Sequence, residues 1–257
     1  MSRVIAVVNQ KGGVGKTTTV MNLGAALAEK HQHTLLIDID PQGALTAGFG
    51  LVDQNLDRTL YTALVNPDVR LDDVIRPVRE NLDLVPSNIE LAGAEVEMIG
   101  ALGREYILRD ILRPTRPRYD FVIADCQPNL GLLTVNALTA ADDVLIPLQC
   151  EYLALRGMRT LLDTIRQVQT KLNPDLTILG ILGTMFKTGT IHSREVLAEV
   201  RSVFGDRVFP VVVKDSIRVA EAPVLNQPLL EYAPRHQGSV AYRYLAEVII
   251  HGKKETR

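Results

Sequence analysis

The sequence predicts a single α/β domain, a mainly parallel twisted sheet with helices on both faces, and three features predict it. Short, fully apolar runs of strand length, such as 4–8 and 121–124, alternate with segments whose apolar residues recur at helical spacing. The first run leads through a glycine-rich segment directly into a helical pattern, which is the order a parallel crossover needs. Across the 257 residues no stretch rich in Pro, Gly or Ser separates two halves and no internal repeat is visible. One core is therefore expected over 1–257, with 1–252 as its body and 253–257 as a basic tail.

Taken in order, run 4–8 reads as a buried strand feeding a loop. Val20, Leu23, Ala26 and Leu27 recur at helical spacing and predict a helix over 17–30, and 35–37 supplies the next strand. Further strands are expected at 82–85, 121–124, 144–147, 178–182 and 208–213. The clearest helix covers about 155–172, where Leu155, Met158, Leu161, Leu162, Ile165, Val168 and Leu172 form one stripe. Asn173 and Pro174 end it, because a residue before Pro avoids the helical region and Asn tolerates the left-handed one. Segment 48–78 mixes short apolar groups with Asp, Asn and Arg, and reads as irregular with one short helix near 60–65. Residues 242–250 read as the last core helix.

Composition narrows the function classes. With 46% hydrophobic and 23% charged residues the chain is in the range of an ordinary globular domain, and no apolar run is long enough to cross a bilayer or form a signal peptide. A cytoplasmic location is expected. Its two cysteines, Cys126 and Cys150, are expected as free, buried thiols. A net charge of −2 means that nucleic acid, if bound, must be held by a local basic patch.

The chemistry is concentrated after the first strand, in Lys11, Gly12, Gly13, Val14, Gly15, Lys16, Thr17 and Thr18. Glycines allow successive backbone N–H groups to curl around a phosphate, and the start of the following helix adds its positive end. Lys16 can reach the β and γ phosphates of a nucleotide, and the Thr17 hydroxyl can ligate Mg²⁺. The usual first glycine of such a loop is replaced by Gln10, and Lys11 places a second ammonium beside the triphosphate, where it can stabilise charge as an arginine finger does. Asp125, closing the apolar run 121–124, has the form of a strand-end carboxylate that holds Mg²⁺. Asp38 and Asp40 leave the carboxyl end of the second strand beside the loop, where a carboxylate can orient or deprotonate water.

The lysine pair, the segment from Asp38 through Pro41 and Gln42 to Gly43, and the stretch from Asp125 to Thr134 together resemble the ParA and Soj partitioning ATPases of the deviant Walker A group. The resemblance extends nearly end to end, through 91–97, 136–142, 148–155 and 221–223, with Gln127 and Asn129 as departures. It implies that Lys11 reaches the partner's nucleotide in an ATP sandwich homodimer, that Asp40 positions the attacking water, and that Asp38 supports the Mg²⁺ shell. It also implies adenine contacts from 184–186 and 214–216, hence from Met185, Lys214, Asp215 and Ser216, although Lys214 and Ser216 stand where this branch commonly has Pro and Asn.

Partition ATPases of this type bind DNA without sequence preference as ATP dimers. By resemblance Arg218 is the first candidate, followed by Lys187, Arg194 and Arg235; an arginine often found two positions after Lys187 is Gly189 here. The resemblance further implies a nucleoid-associated protein whose slow hydrolysis a ParB-type centromere-binding partner accelerates. Three rival readings are a MinD-like membrane ATPase, which needs a basic amphipathic C-terminal helix, an iron–sulfur reductase using the four thiols of a dimer, and a nucleotide-binding adaptor without turnover. No membrane partner is expected, because the tail after Gly252 is short and lacks an apolar face.

Overall fold

A computed structural model describes residues 2–51, 56–151 and 154–252. The basic tail 253–257 and the side chain of Leu155 lie outside the described part. The chain opens with β1 (Arg3–Val7), α1 (Lys16–Ala28), β2 (Thr34–Ile39), α2 (Ala44–Gly48), α3 (Leu60–Val65) and α4 (Leu71–Val74). There follow β3 (Arg76–Arg79), β4 (Leu82–Val85), α5 (Leu91–Glu97), α6 (Ile107–Leu112), β5 (Phe121–Cys126), α7 (Leu132–Ala140) and β6 (Asp143–Gln149). The last part comprises α8 (Ala154–Lys171), β7 (Thr177–Phe186), α9 (Ile191–Phe204), β8 (Val208–Lys214), α10 (Ile217–Val224), α11 (Leu229–Tyr232) and α12 (Gln237–His251).

The strands form one eight-stranded sheet in the order β3-β4-β2-β5-β1-β6-β7-β8. All described pairings are parallel except β3 with β4, which is antiparallel. Successive side chains point to opposite faces, and each face is covered. Val4, Ala6 and Val8 join one core with residues of α3 and α5 to α9, whereas Ile5 and Val7 join a second core with α1, α2 and α12. The inner strands are largely apolar because neither of their faces meets water.

Every strand expected from the sequence is present, and so are the helices at 17–30, 60–65, 155–172 and 242–250, with shifted ends. Segment 48–78 holds more order than its composition suggests, namely α4 and the edge strand β3. Strand β3 reads Arg-Pro-Val-Arg and is only half-buried. It carries no apolar run because it pairs on one side, and Pro is tolerated at a sheet edge, where no partner needs its N–H. A second correction concerns Asn173, which is not among the described residues with left-handed backbone. Its side-chain amide instead donates to the carbonyls of Leu138 at 3.0 Å and Ala141 at 2.7 Å, tying the end of α8 to the end of α7.

This order places the carboxyl ends of β2, β5 and β1 side by side. Asp38 and Asp125 are register partners, and so are Val7 and Asp125. The loop after β1 and the acidic segments after β2 and β5 thus meet at one edge of the sheet, where open α/β folds bind ligands.

Candidate nucleotide site

The phosphate loop is a backbone cradle. Gly13 and Gly15 have φ of 70° and 85°, a region that side chains with a Cβ avoid, and Gly15 is the residue from which α1 starts. Asn9, buried at the end of β1, fixes the loop's entry: its amide donates to the carbonyl of Pro147 at 2.7 Å and its Oδ1 accepts from the N–H of Lys11 at 3.0 Å. On the other side the Thr184 hydroxyl donates to the carbonyl of Val14 at 2.8 Å. The loop is therefore held from β6 and β7 in a conformation that leaves amides free for a phosphate.

The two loop lysines differ. Lys16 is buried in the cradle, with Nζ donating to the Lys11 carbonyl at 3.2 Å. Burial lowers its pKa, while the nearby Asp125 and Asp40 favour the charged form. Lys11 lies at the rim, where its ammonium donates to Gln149 Oε1 at 2.7 Å and Glu151 Oε2 at 3.1 Å. An exposed ion pair of that kind is worth about 0–1 kcal/mol, so a triphosphate presented at the rim competes for Lys11 easily.

The carboxylates also divide. Asp125 is buried, and neither of its oxygens has a hydrogen-bond partner in the protein. Burial first, and then the Asp38 charge, push its pKa well above the ordinary value, against the pull of the Thr17 hydroxyl and the Lys16 ammonium. A buried carboxylate without partners beside a threonine hydroxyl is a site suited to a hydrated cation, so these residues fit Mg²⁺ held between Thr17, Asp125 and a nucleotide. Among the described residues no group of three His, Cys, Asp or Glu could hold a metal by itself. An ion here must take part of its shell from phosphate and water.

Asp38 is fully buried and occupied. Its Oδ2 accepts from the Thr46 N–H at 2.8 Å and the Thr46 hydroxyl at 2.7 Å, and Oδ1 accepts from the Asp40 N–H at 3.2 Å. Desolvation raises its pKa to about 6 although those bonds oppose the shift. Asp38 thus shapes the loop that carries Asp40. Asp40 is half-buried, and its own carbonyl accepts from the Ser87 hydroxyl at 2.9 Å. Thr46 and Ser87 also meet, through the Ser87 N–H at 2.9 Å from the Thr46 hydroxyl.

Met185, Lys214, Asp215 and Ser216 line one cleft with Gly15 and Thr18, a cavity of about 120 Å³ beside the phosphate loop. Met185 has a left-handed backbone, φ 50°, uncommon for a side chain of its size. The basic candidates fall into two groups. Arg218 and Arg235 line one surface depression, and the Arg218 guanidinium lies 6.0 Å from the centre of the Tyr232 ring. Lys187 is 3.9 Å from Asp215, and Arg194 donates to the carbonyl of Thr188; neither lines the depression that holds Arg218 and Arg235.

Sequence reasoning missed the supporting residues Asn9, Thr46, Ser87, Gln149 and Glu151, and named Thr184 only within the adenine segment, not as the hydroxyl that holds the loop. The signal available was polarity where a strand runs out, since Asn9, Gln149 and Thr184 interrupt apolar runs at or near the carboxyl ends of β1, β6 and β7.

The comparisons agree with this geometry. A family model described as an AAA domain matches residues 2–178. The chain is 46% identical over 250 residues to the sporulation initiation inhibitor protein Soj of Bacillus subtilis, covering 97% of this chain and 98% of that one. It is 45% identical over 257 residues to the chromosome partitioning protein ParA of Myxococcus xanthus, covering 100% of this chain and 90% of that one. The chain belongs to the ParA and Soj family of partitioning ATPases. Among solved structures, a Mycobacterium smegmatis protein named cobyrinic acid a,c-diamide synthase, with bound ATP analog and magnesium, superimposes with a TM-score of 0.86 at 40% identity, covering 100% of this chain and 98% of that one.

Two features of this ParA family member bear on the rival readings. The apolar residues of α12, among them Tyr242, Leu245, Ala246 and Ile249, are buried in the second core, so that stripe is not available to lipid. No helix among the described residues is long and apolar enough to cross a membrane. Cys126 and Cys150 are free and buried, and burial raises both thiols, Cys150 to about 11. Neither is presented at a surface where two subunits could share a cluster.

Proposed function

We propose that this chain is a nucleotide-switched partitioning ATPase that closes around ATP as a two-fold dimer and, in that state, holds DNA through its phosphates. The observation that carries the reading is the contrast between the lysines: Lys16 is buried in its own cradle, whereas Lys11 is parked at the rim on Gln149 and Glu151. A cation held outside its own site by a weak, exposed pair is placed to serve a second molecule's nucleotide.

In this scheme the loop amides and Lys16 bind the β and γ phosphates, and Met185, Lys214, Asp215 and Ser216 receive the base. Thr17 and Asp125 hold Mg²⁺, which neutralises phosphate charge when bound. Asp40 orients the attacking water, with Asp38, Thr46 and Ser87 fixing its loop. Lys11 from the partner adds charge to the same γ-phosphate, so hydrolysis waits for dimerisation. Dimerisation doubles the basic contacts of Arg218 and Arg235, with Lys187 and Arg194 at the flank, which converts two weak patches into one that holds non-specific duplex. A ParB-type partner accelerates turnover, and the protein is cytoplasmic and nucleoid-associated.

An amide-forming reading, suggested by the name of the M. smegmatis protein, lacks an exposed thiol to release nitrogen from an amide donor, since both cysteines are buried and burial disfavours their thiolates. The test is anisotropy on non-specific duplex DNA with ADP and with a slowly hydrolysed ATP analogue, at two salt concentrations. Tight, salt-sensitive binding with the analogue alone is expected; equal binding in all nucleotide states removes the switch.

A further inference from the structure

Two helix starts meet beside the base cleft. Ser216, at the cleft, is the residue from which α10 begins, and Arg218 lies in the first turn of that helix. His236 is the residue from which α12 begins, immediately after Arg235. The Ser216 hydroxyl and His236 Nε2 are 3.1 Å apart, and His236 Nδ1 accepts from the Gly238 N–H at 3.1 Å. His236 also lines the depression of about 400 Å³ that holds Arg218 and Arg235.

The hydrogen-bond chemistry fixes a direction. A ring nitrogen that accepts from an amide carries no proton, so in the neutral imidazole the proton is on Nε2, which donates to Ser216 Oγ. The Ser216 hydroxyl proton is then left to donate into the cleft. The start of α12 is itself anchored, because the Ser239 hydroxyl reaches the carbonyls of Leu229 at 3.2 Å and Ala233 at 2.7 Å. A change at Ser216 is therefore passed to the segment carrying Arg235 rather than lost in a loose helix end.

We infer that His236 is a positioning residue that couples the base cleft to the Arg218–Arg235 depression, so that nucleotide in the cleft sets the spacing of the two guanidinium groups that grip DNA phosphates. This rests on the reading of the chain as a nucleotide-switched DNA binder. Both partners are half-buried side chains, so the link is open to replacement without disturbing the core.

The role separates from simple helix capping. Asn is a good capping residue whose Oδ1 accepts from the same amide, but its side chain is too short to span to Ser216. In His236→Asn the helix start and the melting temperature are expected to stay as in wild type. The quantity to read is the ratio of DNA affinity with a slowly hydrolysed ATP analogue at saturation to that without nucleotide, by anisotropy at fixed salt. That ratio is expected to fall at least about fivefold, the low end of ordinary coupling between sites. Ser216→Ala should lower it equally, the double variant should lower it no further, and Ser216→Thr, which keeps the hydroxyl, should restore it. The absolute affinity without nucleotide is expected to remain unchanged in His236→Asn.

A wild-type ratio intact in both His236→Asn and Ser216→Ala, or additive losses in the double variant, overturns the coupling alone. A wild-type ratio near one overturns the switch and the coupling together. Should His236→Asn fail to fold, Ser216→Ala and Ser216→Thr decide the matter, because they leave the cap of α12 in place.

Discussion

The phosphate end and the base-and-basic flank are built on opposite principles. At the phosphate end, the carboxyl ends of β1, β2 and β5 bring buried Lys16, Asp38 and Asp125 to a loop whose shape is set by backbone geometry. At the flank, around β7, β8, α10 and α12, the cleft and the arginines depend on half-buried or exposed side chains that touch one another in pairs. The first region is stiff and costly to alter, as binding and stabilising a triphosphate requires. The second is held by weak links and can shift, as a switch requires.

If that contrast is right, the largest losses come from the phosphate end. Lys16→Ala removes the buried ammonium from the γ-phosphate and is expected to lower ATP turnover by about 10²–10³-fold with loss of nucleotide affinity, measured by phosphate release and nucleotide fluorescence. Asp40→Ala should lower turnover by about 10²–10⁴-fold while leaving ATP binding near wild type, because the side chain acts on water and not on the cradle. Retained turnover would favour a different water-positioning group.

A smaller effect is expected from Asp125→Asn in the nucleotide-free protein. Asp38, at about 6, and Asp125 both have folded-state pKa values above the ordinary carboxylate value of 3.8. The folded chain therefore binds protons more tightly than the unfolded chain, and the penalty of these charges is absent below about pH 4 and grows as pH rises through their folded values. Removing one charge should stabilise the apo protein at pH 8 by about 1–3 kcal/mol relative to wild type, a difference that shrinks toward pH 4 in denaturant melts. The same substitution should abolish stabilisation by Mg²⁺ with ATP. The smallest effect belongs to the flank: Arg218→Ala should leave ATPase activity unchanged and flatten the dependence of log DNA affinity on log salt by about 1–2 units, one contact per subunit.

The same contrast explains what the sequence made legible. The sheet, the loop from Lys11 to Thr18 and the acids Asp38, Asp40 and Asp125 are read directly, because backbone cradles and strand-end carboxylates need fixed residue types at fixed spacing. Strand β3 was hidden because an edge strand with Pro77 and two arginines does not need apolar residues. The partners Ser87 for Asp40 and Glu151 for Lys11 are separated from them by 47 and 140 positions, a pairing made by the fold and carried by no local spacing. The Ser216–His236 link is of that kind too: each residue alone reads as an ordinary helix start.

The central claim is that Lys11 works on the nucleotide of a second copy, and sedimentation equilibrium tests it most directly. Wild type should be a monomer with ADP and a dimer with Mg²⁺ and a slowly hydrolysed ATP analogue. Lys11→Ala should stay monomeric in both, with monomer stability changed by less than about 1 kcal/mol. A Lys11→Ala protein that dimerises like wild type, or a wild type that remains a monomer with the analogue, would contradict the account.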